Sequence, residues 1–520
     1  MNRDEAIQKL EQADHVWDMI IVGGGATGLG CAVDAASRGY KPLLLERFDF
    51  AKGTSSRSTK LVHGGVRYLQ QGNISLVLEA LKERGLLCRN APHLVHNLPF
   101  IVPNYDWWEA PFYGIGLKLY DMLAGKLGIG KSKHLSYKET LKRLPTIETD
   151  GLRGGTIYYD GQFDDARLAI NLAQTASDHG ATVINYVNVH SLIKEDDLVT
   201  GVNVTDAETG CTYALKSRVV INATGPFVDA LRLDDDPDAK QMIKPSQGIH
   251  LVLDRSFLPG DTAIMVPHTS DGRIIFLIPW QDRILVGTTD TSINELSIEP
   301  KPFDEEIEFL IKTAGKYLSK EPTHDDILAL FVGIRPLVQH GNDKDTAAIS
   351  RDHTISISRT GLLTVTGGKW TTYRKMAQDT IDQTIQLTGL TPTPCKTQNL
   401  HIHGFTEETN IDKHLAHYGA DAASIHELEA QDPNLAKPFT TKFDITPAQV
   451  IWAARHEMAR TIEDFLSRRT RAMLLNARDS VDLAEPVAEI LKKELARSDA
   501  WEENQIASYI KLAVDHMYDQ

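Results

Sequence analysis

The segment that most constrains this chain lies near its N-terminus, where an apolar run leads through closely spaced glycines into a helical pattern. Residues 18–22 are rich in β-branched residues, and residues 23–28 have the spacing Gly-x-Gly-x-x-Gly. Residues 29–38 carry small residues at helical spacing, and a second apolar run at 42–45 ends at Glu46. This order predicts a strand, a glycine turn, a helix and a second strand, as at the start of a dinucleotide-binding domain.

Each part of this unit has a physical role in holding a dinucleotide. Gly23 allows the tight turn, Gly25 allows the backbone to approach a pyrophosphate, and Gly28 allows close packing of helix and strand. The helix N-terminus faces the phosphate charge. The acid at Glu46 is expected to accept hydrogen bonds from the adenosine ribose. The cofactor contacts predicted from this unit are Gly23, Gly24, Gly25, Ala26, Thr27, Gly28 and Glu46.

Three later features favour FAD over a nicotinamide dinucleotide. Residues 53–60 are polar and follow the glycine unit closely, a strand pattern leads into Ala-Thr-Gly at 223–225, and a turn at 367–372 opens a helix. A nicotinamide enzyme normally keeps its dinucleotide-binding domain in one contiguous block of sequence. This chain returns three times to its cofactor, which suits the longer FAD molecule better. The further contacts expected are Thr54, Ser55, Ser58, Lys60, Leu61, Val189, Ala223, Gly225, Gly368, Lys369, Trp370 and Thr371.

Composition limits the remaining classes of protein. The 520 residues include 70 acidic and 55 basic side chains, and the net charge of −15 argues against nucleic-acid binding. No window has the 18 or more uncharged apolar residues of a spanning helix, and the N-terminal residues lack the apolar core of a signal peptide. We therefore expect a protein that folds in the cytoplasm.

No metal site or disulfide framework is expected. The four cysteines are scattered without a Cys-x-x-Cys spacing. His456 and Glu457 begin like a zinc-protease helix, but Arg460 stands where the second histidine is needed. His401 and His403 lie without further nearby cysteines or acids, and we interpret them as incidental.

The order of patterns predicts a mixed α/β (α+β overall) fold with a Rossmann-like FAD-binding domain, an inserted antiparallel-sheet substrate domain and a C-terminal helical domain. A Gly/Thr/Pro-rich linker at 389–394 marks the last boundary. The predicted limits are 1–16 for a helical lead-in; 17–95, 152–242 and 340–388 for the FAD-binding domain; 96–151 and 243–339 for the substrate-binding domain; and 389–520 for the helical domain.

A set of short motifs occurs in order between residue 18 and about residue 475. They are 55–69 (SSRSTKLVHGGVRYL), 271–280 (DGRIIFLIPW), 286–290 (VGTTD), 332–337 (VGIRPL), 349–353 (ISRDH), 367–372 (GGKWTT) and 455–460 (RHEMAR). Together they resemble the FAD-dependent glycerol-3-phosphate dehydrogenases of the D-amino-acid-oxidase-like (glycine-oxidase-like) flavoprotein superfamily. One departure is Phe227 after Ala-Thr-Gly-Pro, where the family pattern has a tryptophan.

The resemblance implies sn-glycerol 3-phosphate as substrate and dihydroxyacetone phosphate as product. A phosphate that carries nearly two negative charges calls for convergent arginine and lysine side chains, with arginine preferred for bidentate contact. The residues of the motifs that supply this set are Arg67, Arg335, Arg351 and Lys369, with Tyr68 as a hydroxyl donor.

The same resemblance implies hydride transfer from C2 of the substrate to the flavin while the C2 hydroxyl loses its proton. A base with a near-neutral pKa suits that proton, and His63 in the glycine-lined motif is our first candidate. Arg335 competes for a catalytic role, because a guanidinium can stabilise a developing alkoxide although it is a poor base. We interpret His250 as a structural or flavin-neighbouring residue.

The reduced flavin needs an acceptor, and the resemblance favours a membrane quinone. Oxidases of the family carry an insertion between the two motifs that contain Arg335 and Lys369, whereas these residues are only 34 positions apart here. The quinone-linked form binds the inner face of the cell membrane peripherally. The basic amphipathic stretch at 113–133 fits either a lipid contact or a core-packed helix. A homodimer is compatible with the sequence.

Three alternatives remain open at this point. One is an oxygen-dependent glycerol-3-phosphate oxidase that releases hydrogen peroxide. Another is a flavin oxidoreductase for a small amine or hydroxy acid, and the last is a flavin-bearing scaffold without enzymatic activity.

Overall fold

The computed structural model describes residues 1–12, 15–65, 73–267, 269, 273–339 and 353–518, with the Lys126 side chain left aside. Its α-helices, in chain order, are α1 (Arg3–Leu10), α2 (Ala26–Arg38), α3 (Ile74–Asn90), α4 (Glu109–Ala124), α5 (Tyr137–Arg143), α6 (Asp165–Asp178), α7 (Val228–Asp235), α8 (Asp304–Gly315), α9 (Tyr373–Thr388), α10 (Ala422–Gln431), α11 (Pro447–His456), α12 (Ala472–Leu475), α13 (Ala477–Ser480), α14 (Ala484–Glu494) and α15 (Asp499–Val514).

Strands lie mainly in the first three quarters of the chain. In order they are β1 (Val16–Trp17), β2 (Met19–Val22), β3 (Pro42–Leu45), β4 (Leu61–Val62), β5 (Val95–Asn104), β6 (Lys133–Ser136), β7 (Gly154–Phe163), β8 (Thr182–Ile184), β9 (Val187–Glu195), β10 (Leu198–Asp206), β11 (Thr212–Ser217), β12 (Val220–Asn222), β13 (Ile243–Asp254), β14 (Ala263–Val266), β15 (Ile275–Trp280), β16 (Arg283–Gly287), β17 (Thr291–Ser292), β18 (Ile327–Val338), β19 (His353–Ile357) and β20 (Leu363–Gly367).

A mostly parallel sheet with the strand order β19-β20-β12-β2-β3-β8 forms the centre of the cofactor-binding part. Strands β2, β3, β8, β12 and β20 run parallel, and β19 joins the edge antiparallel. Because β2 has β3 on one side and β12 on the other, the strand order reverses at β2. Ligands of such sheets bind outside the carboxyl ends of the strands at this switch point.

Alternate side chains of the central strands point into two separate cores, as the pleat requires. Ile21 and Leu44 pack with helices α2, α6 and α9, whereas Ile20 and Leu43 pack with the small sheet β1-β11-β10-β9. Helices α2 and α9 approach closely at Gly30, where an added Cβ would lie 3.0 Å from the Tyr373 ring. The helix that follows the glycine turn is therefore held tightly on the sheet.

A larger, mostly antiparallel sheet has the order β17-β13-β16-β15-β14-β5-β7-β4, with β18 paired to β13 and β6 paired to β7. Helix α8 packs beneath it through residues such as Leu310. The short strand β4 reaches this sheet from within the segment predicted for the FAD-binding domain. The domain limits given above stay a prediction.

Helices α10–α15 follow the linker, and no strand occurs in the described residues from 389 to 518. Phe465 and Leu474 pack on Phe331 and Trp280 of the antiparallel sheet. The predicted α/β fold class, with a parallel cofactor-binding sheet, an antiparallel sheet and a C-terminal helical region, is confirmed. No helix in the described part of the chain is both long and apolar enough to cross a membrane.

Candidate active site

A cavity of about 480 Å³ opens at the carboxyl edge of the parallel sheet. Its walls include the glycine turn after β2, Glu46 at the end of β3, and the segments 223–227 and 367–370. Residues 53–55 close another side. Segments that are far apart in sequence thus meet at the switch point of the sheet.

The glycine turn has a geometry that other residues would not tolerate. Gly23 has a φ of +110°, and an added Cβ would lie 2.6 Å from the carbonyl oxygen of Ala223. A Cβ on Gly28 would overlap the carbonyl oxygen of Gly23, so helix α2 could not pack against the turn. The N-terminus of α2, with Gly25, Ala26 and Thr27, lines the cavity and can face a pyrophosphate.

Glu46 is held at the cavity wall by two backbone groups. Its Oε2 accepts the N–H of Gly24 at 2.6 Å, and its Oε1 accepts the N–H of Phe48 at 2.8 Å. Burial raises the pKa of this carboxyl group, and the two N–H bonds oppose that rise. Each carboxylate oxygen retains a lone pair, so Glu46 can still accept hydrogen bonds from ribose hydroxyls.

The short helical turn Thr54–Ser56 ties three walls of the cavity together. The Ser55 hydroxyl accepts the N–H of Ala26 at 2.9 Å, and its carbonyl accepts the indole N–H of Trp370 at 2.9 Å. The Thr54 hydroxyl donates to the carbonyl of Ile334 at 2.7 Å. Thr54, Ser55 and Trp370 all line the cavity.

Other predicted cofactor residues divide into those on the cavity wall and those behind it. Val189, Ala223, Gly225, Gly368 and Lys369 line the wall. Gly24, Gly28, Ser58, Lys60, Leu61 and Thr371 do not.

Lys60 and Ser58 instead bind a buried carboxylate behind the wall. The Lys60 ammonium lies 2.8 Å from Asp165, and the Ser58 hydroxyl donates to the same carboxylate at 2.7 Å. Burial, together with the charge of Arg471, lowers the pKa of Lys60 to about 7 against the opposing effect of Asp165. Leu61 is buried in strand β4. The polar groups of Ser58 and Lys60 are thus directed to a buried partner and not to the cavity.

Arg335 lies on β18, next to Pro336 of the cavity wall. Its guanidinium donates to the carbonyl of Thr289 at 2.9 Å and to the hydroxyl of Thr288 at 3.2 Å. It also lies 3.4 Å from the carboxylate of Asp290. These contacts hold the guanidinium in a defined orientation on the strand whose next residue, Pro336, lines the cavity, although Arg335 itself is not among the lining residues.

His63 lies at the end of β4, where its backbone N–H donates to the Thr371 hydroxyl at 3.1 Å. Thr371 follows Gly368, Lys369 and Trp370 of the cavity wall, so His63 is next to this wall. His250 is different, because its ring is buried against Phe331, with centroids 4.8 Å apart, and its Nε2 lies 2.9 Å from the Thr59 hydroxyl. Burial, with the charges of Lys60 and Arg335, holds the pKa of His250 well below its ordinary value.

Three of the predicted substrate-binding residues, Arg67, Tyr68 and Arg351, lie outside the described residues. Of the predicted phosphate ligands, the structure therefore describes Arg335 and Lys369. They come from different elements, β18 and the turn before α9, which adjoin the same cavity.

Several residues of the cavity wall were not predicted from the sequence, among them Arg47, Phe48, Lys52, Asn188, Pro226, Phe227, Ile298, Pro336 and Met376. Arg47 and Phe48 had a usable signal, since they follow Glu46 at the carboxyl end of a strand. Pro336 lies inside a motif already singled out. Ile298 had none, because it reaches the cavity from an irregular segment between β17 and α8.

The glycine turn, the anchored Glu46 and the cavity fit a bound dinucleotide. Comparisons with known proteins identify the class of protein to which the chain belongs. Residues 18–374 match the family of FAD dependent oxidoreductases. Residues 358–502 match the C-terminal domain of alpha-glycerophosphate oxidase. The chain is an FAD-dependent oxidoreductase.

Individual relatives narrow this class. The mitochondrial glycerol-3-phosphate dehydrogenase of Macaca fascicularis is 40% identical over 537 residues, which cover 96% of this chain and 73% of the relative. That of Arabidopsis thaliana is 40% identical and covers 92% of this chain and 82% of the relative. The chain belongs to the FAD-dependent glycerol-3-phosphate dehydrogenases.

A solved structure has the same overall fold. The glycerol-3-phosphate dehydrogenase from Bacillus halodurans, complexed with FAD, superposes with a TM-score of 0.80 at 30% identity, over 99% of this chain and 98% of that one. A glycerophosphate oxidase from Mycoplasma pneumoniae with FAD bound has a TM-score of 0.56 at 16% identity and shares the fold alone. The predicted family and the predicted cofactor, FAD, are confirmed.

Proposed function

We propose that this protein oxidises sn-glycerol 3-phosphate to dihydroxyacetone phosphate and passes the electrons to a quinone at the inner face of the cytoplasmic membrane. The observation that carries the proposal is that Lys369, and Pro336 next to Arg335 on β18, line the cavity that also contains the dinucleotide-type glycine turn. Family membership supports the same substrate.

The chain supplies the groups that the oxidation of a phosphorylated alcohol needs. Arg335 and Lys369 bind the phosphate dianion, with Arg67, Tyr68 and Arg351 as further proposed ligands. His63 accepts the proton of the C2 hydroxyl, and Arg335 stabilises negative charge on that oxygen as the proton leaves. FAD, when bound, supplies the acceptor for the hydride that leaves C2. The substrate thereby loses a hydride from C2 and a proton from the C2 hydroxyl, which together are two electrons and two protons, and a ketone results.

The spacing of two motifs supports a quinone over oxygen as electron acceptor. Arg335 and Lys369 are 34 positions apart, which leaves no room for the insertion that the oxidases carry in this region. The match of residues 358–502 to a domain named after an oxidase does not decide the acceptor, because mitochondrial glycerol-3-phosphate dehydrogenases match this chain over the same region at about 40% identity.

An exposed apolar stripe on α4 supports attachment to a membrane surface. Ile115 and Met122 are 72% and 76% exposed, and Trp107, just before the helix, is 76% exposed. The full stripe, defined as Trp107, Trp108, Phe112, Ile115, Leu119 and Met122, follows one side of the helix. A soluble surface rarely presents so many large apolar side chains together.

The opposite side of α4 packs into the protein. One side of the helix therefore fits the expected core packing of the stretch 113–133, and the other side fits the lipid contact. Tyr113, Leu117 and Tyr120 are buried, whereas Lys131 and Lys133 just beyond the helix are exposed. An apolar face flanked by lysines fits the interface of an anionic lipid bilayer. We therefore propose lipid as the occupant of the stripe.

The substrate is tested by adding sn-glycerol 3-phosphate to the purified flavoprotein without oxygen. Bleaching of the flavin absorbance is expected, and glycerol and a 2-hydroxy acid serve as comparison substrates. A flavin that stays oxidised with glycerol 3-phosphate contradicts the proposal. In air, a quinone analogue should accelerate turnover, whereas hydrogen peroxide formed in equal amount to product identifies an oxidase instead.

Attachment to lipid is tested by co-sedimentation with vesicles of phosphatidylglycerol and phosphatidylcholine. Ile115→Asp with Met122→Asp should weaken binding by at least about tenfold, because each buries a charge in the interface. Leu233→Asp, at an exposed leucine on α7 outside the stripe, is the control. Equal binding by both variants contradicts the assignment of the stripe.

A homodimer, which we also propose, is tested by measuring the mass of the protein in solution.

A further inference from the structure

The loop that carries His63 is held by two hydrogen bonds from opposite sides. On one side, the N–H of His63 donates to the Thr371 hydroxyl at 3.1 Å. On the other, the N–H of Gly64 donates to the hydroxyl of Tyr120 at 2.7 Å. Thr371 belongs to the turn at the cavity, whereas Tyr120 lies on α4. The second bond therefore connects the candidate catalytic loop to a helix outside the cavity wall.

Tyr120 is the first member of a buried polar chain. Its hydroxyl donates to Asp160, with oxygen distances of 2.9 and 3.0 Å, and Asp160 accepts a hydrogen bond from Arg84 at 2.6 Å. Tyr120, Asp160 and Arg84 are all nearly inaccessible to solvent. Strand β7 supplies Asp160 and helix α3 supplies Arg84. Three elements thus fix the position of one hydroxyl.

The direction of each bond follows from donor and acceptor chemistry. Burial raises the pKa of Asp160, and the charge and hydrogen bond of Arg84 oppose that rise. As a carboxylate bound to Arg84, Asp160 only accepts, so the single hydroxyl proton of Tyr120 points to it. Burial first, and then the charge of Asp160, raise the pKa of Tyr120 well above its ordinary value, so the hydroxyl keeps that proton. The lone pairs of the tyrosine oxygen are left for the N–H of Gly64. The arrangement therefore has one orientation rather than several.

Close packing at Gly64 leaves little room for the loop to shift. A Cβ at this position would lie 2.5 Å from the Tyr120 hydroxyl oxygen and 2.5 Å from Leu81. Gly65 then turns the chain with a φ of +77°. A peptide that is hydrogen-bonded and packed in this way holds the neighbouring His63 in one place relative to the turn at Lys369.

We propose that Tyr120 is a positioning residue for catalysis, which sets the Gly64 peptide and through it the orientation of His63 toward the substrate. This inference rests on the proposed function, in which His63 accepts the substrate proton. Tyr120 touches neither substrate nor cofactor in this scheme. Its removal therefore slows proton and hydride removal from bound substrate, while cofactor binding is unchanged.

Tyr120→Phe removes the hydroxyl and keeps the ring. Tyr158→Phe is a matched control, because Tyr158 is also buried, its ring lies edge-on to that of Tyr120, and its hydroxyl donates to the sulfur of Met265 and not to the loop that carries His63. Both proteins are compared with wild type by flavin content, thermal unfolding and the rate of anaerobic flavin reduction at saturating glycerol 3-phosphate. Wild-type reduction is measured first, since its absence contradicts the proposed function and not this inference.

Tyr120→Phe is expected to lower the limiting rate of flavin reduction by about 10-fold to 100-fold, as small displacements of reacting groups do, with a much smaller change in the apparent Kd of the substrate. Flavin content should equal that of Tyr158→Phe, whose rate should match wild type. A wild-type rate in Tyr120→Phe overturns the inference. Loss of flavin or of folding in Tyr120→Phe also overturns it, because the hydroxyl would then maintain the fold and not the loop.

Discussion

At the end of β3, the carboxylate of Glu46 accepts the N–H of Gly24 at one oxygen and the N–H of Phe48 at the other. This side chain therefore shapes the glycine turn as well as facing the cavity. The spacing of the glycine motif predicts an acid here, but only the structure shows the two backbone bonds. A carboxylate suits the position because it has no donor to oppose either N–H.

Glu46→Gln is expected to weaken FAD binding. The amide has one oxygen, so either Gly24 or Phe48 would face an NH2 group and lose its acceptor, at a cost of about 1–3 kcal/mol. The Kd of FAD should rise about tenfold or more, measured by titrating the apoprotein and following flavin fluorescence. Glu195→Gln, at an exposed surface pair with Lys216, is the control. An unchanged Kd in Glu46→Gln contradicts this account of the turn.

The proposed phosphate ligands give a second prediction for single residues. Arg335→Ala and Lys369→Ala should each lower kcat/KM for glycerol 3-phosphate by about 10-fold to 100-fold, since hydrogen bonds to charged groups contribute about 1.5–3 kcal/mol. Inorganic phosphate should also inhibit these variants more weakly than wild type. Arg359→Ala, at an exposed arginine, is the control. Normal kinetics in both variants would remove Arg335 and Lys369 from the substrate site.

The elements of the glycine unit could be predicted because their signal is local. A strand, a turn with required glycines and a helix follow each other within 30 residues. Lys60 illustrates what a local pattern misses: it lies in a polar motif, yet its partner Asp165 is 105 positions away and buries its charge behind the cavity wall. Pairing partners in the large sheet, such as the parallel neighbours β5 and β14, are still farther apart in sequence.

The C-terminal region shows the same limit at the level of a helix. The sequence predicts a helical domain after residue 389, but the chain leaves the helical conformation at Met458 and Arg471, which have φ values of +52° and +67°. Between these residues, the turn Asp464–Arg469 brings Arg468 and Arg469 to the buried carboxylate of Asp49. Asp49 is more than 400 positions away and belongs to the segment that follows Glu46.

Asp49→Asn should therefore destabilise the protein and loosen FAD. Burial would raise the pKa of Asp49, but the charges of Arg469 and Arg468 outweigh it and lower the pKa, so the group is ionised at neutral pH. Removal of one partner from a buried ion pair costs about 3–5 kcal/mol, measurable by denaturant unfolding. FAD affinity should fall as well, because Asp49 anchors the loop with Phe48. Asp282→Asn, in an exposed pair with Lys413, should cost less than about 1 kcal/mol. Equal costs for the two variants would contradict a stabilising role of the buried ion pairs at Asp49.

At the scale of the whole molecule, the active site depends on contacts between regions that are distant in sequence. The chain as a whole carries a net charge of −15, whereas the cavity wall contains the basic residues Arg47, Lys52 and Lys369. The C-terminal region joins the cofactor-binding part through buried charged pairs, among them Arg167 with Glu457. Glu457 belongs to a motif quoted for its family resemblance, and its structural role is to bind an arginine of α6. Such contacts have no signal in a single sequence, because nothing local specifies the partner.

His403, which appeared incidental in the sequence, is one of these contacts. Its Nδ1 lies 2.6 Å from Asp178 of α6, and its Nε2 lies 3.1 Å from Asp421 near α10. Burial would lower the pKa of His403, but the hydrogen bonds and charges of the two carboxylates outweigh it and raise the pKa to about 9. The ordinary pKa of histidine is about 6.5. The imidazolium therefore stabilises the folded state fully below about pH 6.5, and this contribution is lost as the pH rises through about 9.

The difference in free energy of unfolding between wild type and His403→Gln should accordingly shrink as the pH rises from about 6.5 to about 9.5. We expect a change of about 1–2 kcal/mol, less than the whole pKa shift would give, because a quarter of the side chain is exposed and solvent screens the charges. Denaturant unfolding at several pH values measures it, and the comparison with His403→Gln removes the contribution of other groups such as Lys60. His426→Gln, at a more exposed histidine, is the matched control. A difference that stays constant across this range would show that His403 does not join the two regions as a charged group.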